Sequence, residues 1–133
     1  MGIKCLIWRL KMLFVPSVST LILLANAVFD LVCSFSILAN IAPLSTVHTS
    51  LWRDQIDSGN GAAAHLMAFL IFAWGTMRLW GAFDACRLAA CFSYLLEGLF
   101  FASETVVFQR MHFEKGLSVS VASLFLGIYV LLY

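Results

Sequence analysis

The sequence predicts an all-α integral membrane protein, a four-helix bundle with a short N-terminal interfacial helix. Composition is the first reason: of 133 residues, 62% are hydrophobic and only 11% charged, where soluble domains carry about 25% charged residues. Mean hydropathy is +0.97. A soluble domain this small must cover a large surface with polar side chains, and 8 basic plus 7 acidic residues are too few for that. The second reason is distribution, because the apolar residues fall into four stretches long enough to cross about 30 Å of hydrocarbon as helices. The third is the absence of barrel-type alternation, so that backbone groups in lipid must be satisfied inside helices.

Each stretch has its own limits. The first lies between Lys11 and Arg53, an interval whose only charge is Asp30. Pro16 and Pro43 bracket it, and proline suits helix starts and the residues after helix ends, which places the span at 17–42. The second, 62–83, contains Arg78. The third, 88–109, contains Glu97 and Glu104. The fourth, 117–133, is uncharged and just long enough. Ahead of the first span, Lys4, Arg9 and Lys11 followed by an apolar run and Ala25-Asn26-Ala27 imitate a secretory signal with its cleavage site. The apolar run continues well past that point, however. Ile3, Leu6/Ile7, Leu10 and Leu13/Phe14 fall at helical spacing, and Trp8 suits the headgroup zone, which favours an interfacial helix.

Between the first two spans lies the one long loop, where Val47, Leu51/Trp52 and Ile56 predict a short surface helix and Ser58-Gly59-Asn60-Gly61 a turn. The links at 84–87 and 110–116 are short, so neighbouring spans are antiparallel. Orientation is weakly written: Lys4, Arg9, Lys11 and Arg87 on one side against Arg53, Arg110 and Lys115 on the other lean towards termini on the cytoplasmic or matrix side.

Ionisable residues inside a bilayer are costly unless paired, and they are functional candidates by default. Four occur, Asp30, Arg78, Glu97 and Glu104. At about 1.5 Å per residue, Asp30 lies about 18 Å, Glu97 about 14 Å and Arg78 about 8 Å from the side carrying the N-terminus. A long arginine side chain reaches one turn deeper, so pairing of Arg78 with Glu97 or Asp30 is geometrically feasible. Glu104 lies near the opposite interface, where headgroups or Arg110 are its expected neighbours. Ser93, Glu97 and Glu104 share a helix face at i, i+4 and i+11. A proton or ion relay is one reading of these charges. An ion pair that fixes helix register, or a charge that meets a partner subunit, is the favoured one, because transporters use more helices, repeats and broken segments than this.

Small residues mark the expected helix contacts. Gly116, Ser120, Ser123 and Gly127 form a stripe on the fourth span, Gly98 and Ala102 a small-xxx-small pair on the third, and Ala64, Ala68 and Gly75 line the second. Such stripes let backbones approach closely in lipid, here within the bundle for most of them, and leave the Phe-, Leu- and Trp-rich surfaces to lipid and other proteins.

Chemistry-bearing motifs are missing. Cys5, Cys33, Cys86 and Cys91 form no CxxC, and His48, His65 and His112 sit in separate segments without HxxxH or HExxH spacing, which argues against metal, haem or di-iron ligation. There is no nucleotide-binding glycine motif, no serine elbow and no Asn-x-Ser/Thr acceptor. The balance of charges gives no electrostatic footprint for nucleic acid. The expectation is a protein without catalysis, cofactor or metal whose partners are membrane lipids and other membrane proteins.

Two stretches carry a resemblance. Thr76-Met77-Arg78-Leu79-Trp80-Gly81-Ala82 resembles the arginine and aromatic-Gly-Ala turn that ends the second helix in the ergosterol-biosynthesis scaffold family. Phe92-Ser93-Tyr94, Phe101-Ala102-Ser103-Glu104 and Phe108 are similar to its third helix, and Lys115-Gly116 to the opening of its fourth. The resemblance covers roughly residues 62–127. Members of that family are non-enzymatic proteins of the endoplasmic reticulum that tether the sterol C-4 demethylation enzymes to one another. It implies membrane charges at Arg78 and Glu104 and a third-helix polar pair at Ser93 and Tyr94. The family's Arg-Thr-Phe-Gly-x-Trp stretch is replaced here by His65-Leu66-Met67-Ala68-Phe69-Leu70, its third-helix histidine by Phe100, and Glu97 has no counterpart in it. Three functions follow as expectations: a scaffold or accessory subunit of that assembly, a supernumerary subunit of a mitochondrial inner-membrane respiratory or ATP synthase complex, and a small proton or ion relay.

Overall fold

The computed structural model describes residues 17–53, 61–83 and 87–133. Helices make up 84% of these, and no strand occurs among them. Four helices are long and apolar enough to cross a membrane: α1 (Val18–Ala39), α3 (Ala62–Phe83), α4 (Arg87–Ala102, continued by a π-helical turn, Ser103–Val107) and α5 (Phe113–Leu132). A short helix, α2 (Ser45–Thr49), lies in the long loop. The chain is an all-α, four-helix integral membrane protein. The expected interfacial helix at Ile3–Phe14, and Ile56 and Ser58–Asn60 of the expected loop features, lie outside the described residues.

The helix ends follow local chemistry, and three differ from the sequence expectation. Ser17 caps α1, its hydroxyl accepting from the Thr20 N–H at 3.2 Å, as a helix N-cap should. That helix stops at Ala39, short of 42, because Asn40 turns left-handed at φ 53°, a conformation asparagine tolerates, and the Ile41 N–H closes back on the Ser36 carbonyl at 2.9 Å. α5 begins at Phe113, four residues before the expected 117: Glu114 and Lys115 stay inside the helix, with Glu114 in the first turn, where its charge suits the helix dipole. The third span ends at Val107 rather than 109. Its last turn widens to π geometry, with the Phe108 N–H bonded to the Ser103 carbonyl at 3.0 Å, and Gln109 then takes φ 52°.

The spans pack in the order α1, α3, α4, α5, while α1 and α5 make little direct backbone contact. Two apolar clusters result. One, nearer the loops, gathers Cys33 and Ile37 of α1, Met67, Ile71 and Trp74 of α3, and Phe101 of α4 with Met111. The other, nearer the termini, gathers Leu23, Ala90, Tyr94 and Val130. Between them lies a polar layer. The loop side is tied by backbone pairing, the Arg53 N–H to the Arg110 carbonyl at 2.9 Å and the His112 N–H to the Leu51 carbonyl at 2.8 Å. The opposite side is tied by Arg87, which donates to Ser19 Oγ at 2.7 Å, and by Ser19, which donates to the Tyr133 carbonyl at 3.3 Å.

Candidate functional site: a charge cluster inside the bundle

The polar layer is built around Arg78. Its position depends on Gly75, one turn earlier on α3: a Cβ there would lie 2.9 Å from Asp30 Cβ and 3.2 Å from the Ala27 carbonyl oxygen. The missing side chain lets α3 close on α1, and Ser34 Oγ fastens the pair by donating to the Ala68 carbonyl at 2.7 Å. Arg78 then donates from Nη1 to Asp30 Oδ2 at 2.5 Å, from Nη2 to Glu97 Oε2, and from Nε to Ser93 Oγ at 3.2 Å. Its guanidinium lies 3.9 Å from the centroid of the Tyr94 ring, within cation–π range.

The far wall uses the same device. On α4, a Cβ at Gly98 would strike Leu124 of α5 at 2.7 Å, and one at Gly127 would press on Tyr94 Cβ at 3.2 Å. Ser120 donates to the Gly98 carbonyl at 2.7 Å, and one turn on Ser123 donates to Glu97 Oε2 at 2.9 Å. Gly116 gives room to Thr105, whose hydroxyl a Cβ would overlap at 2.0 Å. Thus Gly75, Gly98, Gly116, Ser120, Ser123 and Gly127 all sit at contacts inside the bundle, while Ala102 is half-buried.

The cluster is dry. Side-chain exposure is 3% for Arg78, 5% for Asp30 and 9% for Glu97. Ions so placed are tolerable only when paired and hydrogen-bonded, and here each charge meets its opposite. Glu104 stands apart: it is buried at the loop end, with Arg110 Nη1 3.6 Å from its Oε2. The four charges therefore divide into a central trio and a peripheral pair.

Sequence reasoning missed two members of the site. Asn26, one turn before Asp30, donates to the Tyr94 hydroxyl at 2.6 Å. His48 was expected on a surface helix, but α2 turns inward, and His48 is buried over the cluster with no hydrogen-bond partner at Nδ1. Burial pushes its pKa below the ordinary value, with smaller and opposing influences from Glu97 and Arg78, so it is neutral at pH 7. The helical spacing of Val47 and Leu51 marked the turn in the sequence but not which way it faces. Together, Val47, His48 and Leu51 roof a cavity of about 230 Å³ between α1 and α5, floored by Asp30, Arg78 and Glu97.

Among the described residues no group of His, Cys, Asp and Glu side chains is arranged to hold a metal ion, and Cys33 and Cys91 are buried free thiols. The geometry offers one guanidinium shared between two buried carboxylates.

Set against protein-family models, curated proteins and solved structures, the chain finds no match in any of the three comparisons.

Proposed function

We propose that this protein is a non-enzymatic membrane scaffold or accessory subunit, holding larger membrane proteins through its lipid-facing helices. The observation that carries the reading is the closure of Arg78 on Asp30, Glu97 and Ser93 at the centre of the bundle. Those charges are spent on internal order, joining α1, α3 and α4, and α5 joins them through Ser123. What remains for recognition is the outer surface, where Phe69, Phe72, Trp80, Leu99, Phe125 and Ile128 are exposed. Aromatic and aliphatic side chains on a rigid helix suit contact with other transmembrane helices as well as with lipid.

The resemblance to the ergosterol-biosynthesis scaffold family supplies the favoured partners, the sterol C-4 demethylation enzymes of the endoplasmic reticulum. Support comes from Arg78, Ser93 and Tyr94, three positions of that resemblance drawn from two spans, which touch one another here. The other address for the same role is a respiratory or ATP synthase complex of the mitochondrial inner membrane. Purification in mild detergent with identification of the co-isolated proteins tests both: sterol-modifying enzymes support the first, respiratory subunits the second, and a solitary monomer contradicts the scaffold.

One observation favours a relay as a second reading, the cavity that joins His48 to Asp30 and Glu97. In that case Glu97→Gln abolishes ion flux in reconstituted vesicles. Loss of complex assembly without any flux in the unaltered protein rejects it.

A further inference from the structure

A second cleft, of about 220 Å³, opens between α3 and α4 at the loop end of the bundle, and the ion trio has no part in it. Its polar end is unusual in one respect. The Trp52 indole N–H and Glu104 Oε2 are both buried without a hydrogen-bond partner, a costly arrangement for a donor and an acceptor on two residues that line one cleft. Glu104 is only 8% exposed. Arg110 borders the same cleft with its side chain 61% exposed, and its guanidinium stands 3.6 Å from Glu104 Oε2, beyond hydrogen-bond reach. Leu66, Leu70 and Phe100 form the apolar wall.

We propose that this cleft is a binding site for a phospholipid whose headgroup carries a primary ammonium beside its phosphate, as in phosphatidylethanolamine. The phosphate accepts from the Trp52 N–H and from the Arg110 guanidinium, whose planar fork of donors pairs bidentately with phosphate oxygens. The ammonium donates to Glu104 Oε2. An acyl chain lies against Leu66, Leu70 and Phe100. The two phosphate donors sit on one platform, because the Trp52 and Met111 backbones pair and the Arg53 N–H binds the Arg110 carbonyl. The cleft also lies where a headgroup belongs, at the loop end of two spanning helices. Charge complementarity selects among lipids. A choline headgroup has no N–H to offer the buried carboxylate oxygen, and a glycerol headgroup offers only neutral hydroxyls, with no cation to balance Glu104. The widened turn at Ser103–Val107 holds Glu104, and such turns are frequent at functional sites.

The test uses the full chain in detergent micelles and lipids of identical acyl composition, with retention read by native mass spectrometry. Phosphatidylethanolamine, its mono- and dimethyl derivatives and phosphatidylcholine form a series in which N–H donors are removed one at a time. Retention is expected to fall along the series, by about tenfold between its ends, the worth of one hydrogen bond to a charged group. Equal retention across the series, or stronger retention of phosphatidylglycerol than of phosphatidylethanolamine, overturns the proposal. In Glu104→Gln the series flattens. In Trp52→Phe all four lipids weaken together while their order persists. A folded Glu104→Gln protein that keeps the wild-type order also overturns it, and the series on the unaltered protein decides the matter even if that variant does not fold.

Discussion

Replacing Arg78 by methionine keeps the length and apolar stem of the side chain and removes its charge. Asp30 and Glu97 are then left within one site with no cation, at exposures of 5% and 9% that let in almost no water. Breaking a buried ion pair by removing one partner costs about 3–5 kcal/mol. Because both carboxylates and Ser93 lose a donor at once, the upper half of that range is expected, equivalent to a fall in melting temperature on the order of 10 °C. The compensating variant makes the reasoning specific. In Asp30→Asn/Arg78→Met/Glu97→Gln all three charges are gone, and neutral replacement of a buried ionic group is often close to neutral in stability, so about half or more of the loss should return. Thermal unfolding in detergent, followed by helical circular dichroism, measures both. An Arg78→Met protein within about 1 kcal/mol of wild type, or a triple variant no more stable than the single one, would refute a cluster held by mutual charge compensation.

Gly75→Val should cost about 1–3 kcal/mol by overpacking, since its Cβ would meet Asp30 Cβ at 2.9 Å; an unchanged melting temperature would contradict the close approach of α1 and α3. Ser123→Ala removes a donor to a buried carboxylate and Ser120→Ala a donor to a carbonyl, so the first should cost more, with both losses at or below about 2 kcal/mol; the reverse order in parallel melts would count against Glu97 as the Ser123 acceptor. His48 is buried and its pKa lies below the unfolded 6.5, so the unfolded chain binds the extra proton and stability must fall as pH drops from 6.5 towards the folded value, then level off. A His48→Gln protein should lose that part of the slope between pH 7.5 and 5, and identical pH profiles for the two proteins would show that His48 is not held neutral in its buried position on α2.

The spans were legible because one rule dominates in lipid: every backbone group is satisfied within its own helix, so runs of apolar residues translate directly into crossings. Depth was legible for the same reason. A rise of about 1.5 Å per residue placed Asp30 and Glu97 at similar levels and Arg78 within a side chain's reach of both. Chain ends of helices were less legible, since the Asn40 turn and the inclusion of Glu114 and Lys115 in α5 depend on capping and dipole effects of about 1 kcal/mol or less. His48 escaped because its placement is set by how a loop folds over the bundle, and that is decided by pairing between Leu51–Arg53 and Arg110–His112, two segments far apart in sequence; Asn26 escaped because its partner, Tyr94, lies on a different span. Hydropathy cannot separate a loop helix lying on the surface from one turned inward. The cleft beneath Trp52 was invisible for a related reason: its donor and acceptor come from different segments, and only Glu104 carried a signal.

The proposed scaffold role requires a bundle whose central charges, Asp30, Arg78 and Glu97, are occupied internally and whose partners are met on its outer surface. Isolation from membranes in mild detergent, with the stoichiometry of co-isolated proteins measured for the unaltered chain and for Arg78→Met, tests this most directly. The expected result is a constant ratio to one or more larger membrane proteins that falls or vanishes in the variant. A monodisperse, solitary protein that transports an ion or turns over a substrate would contradict it.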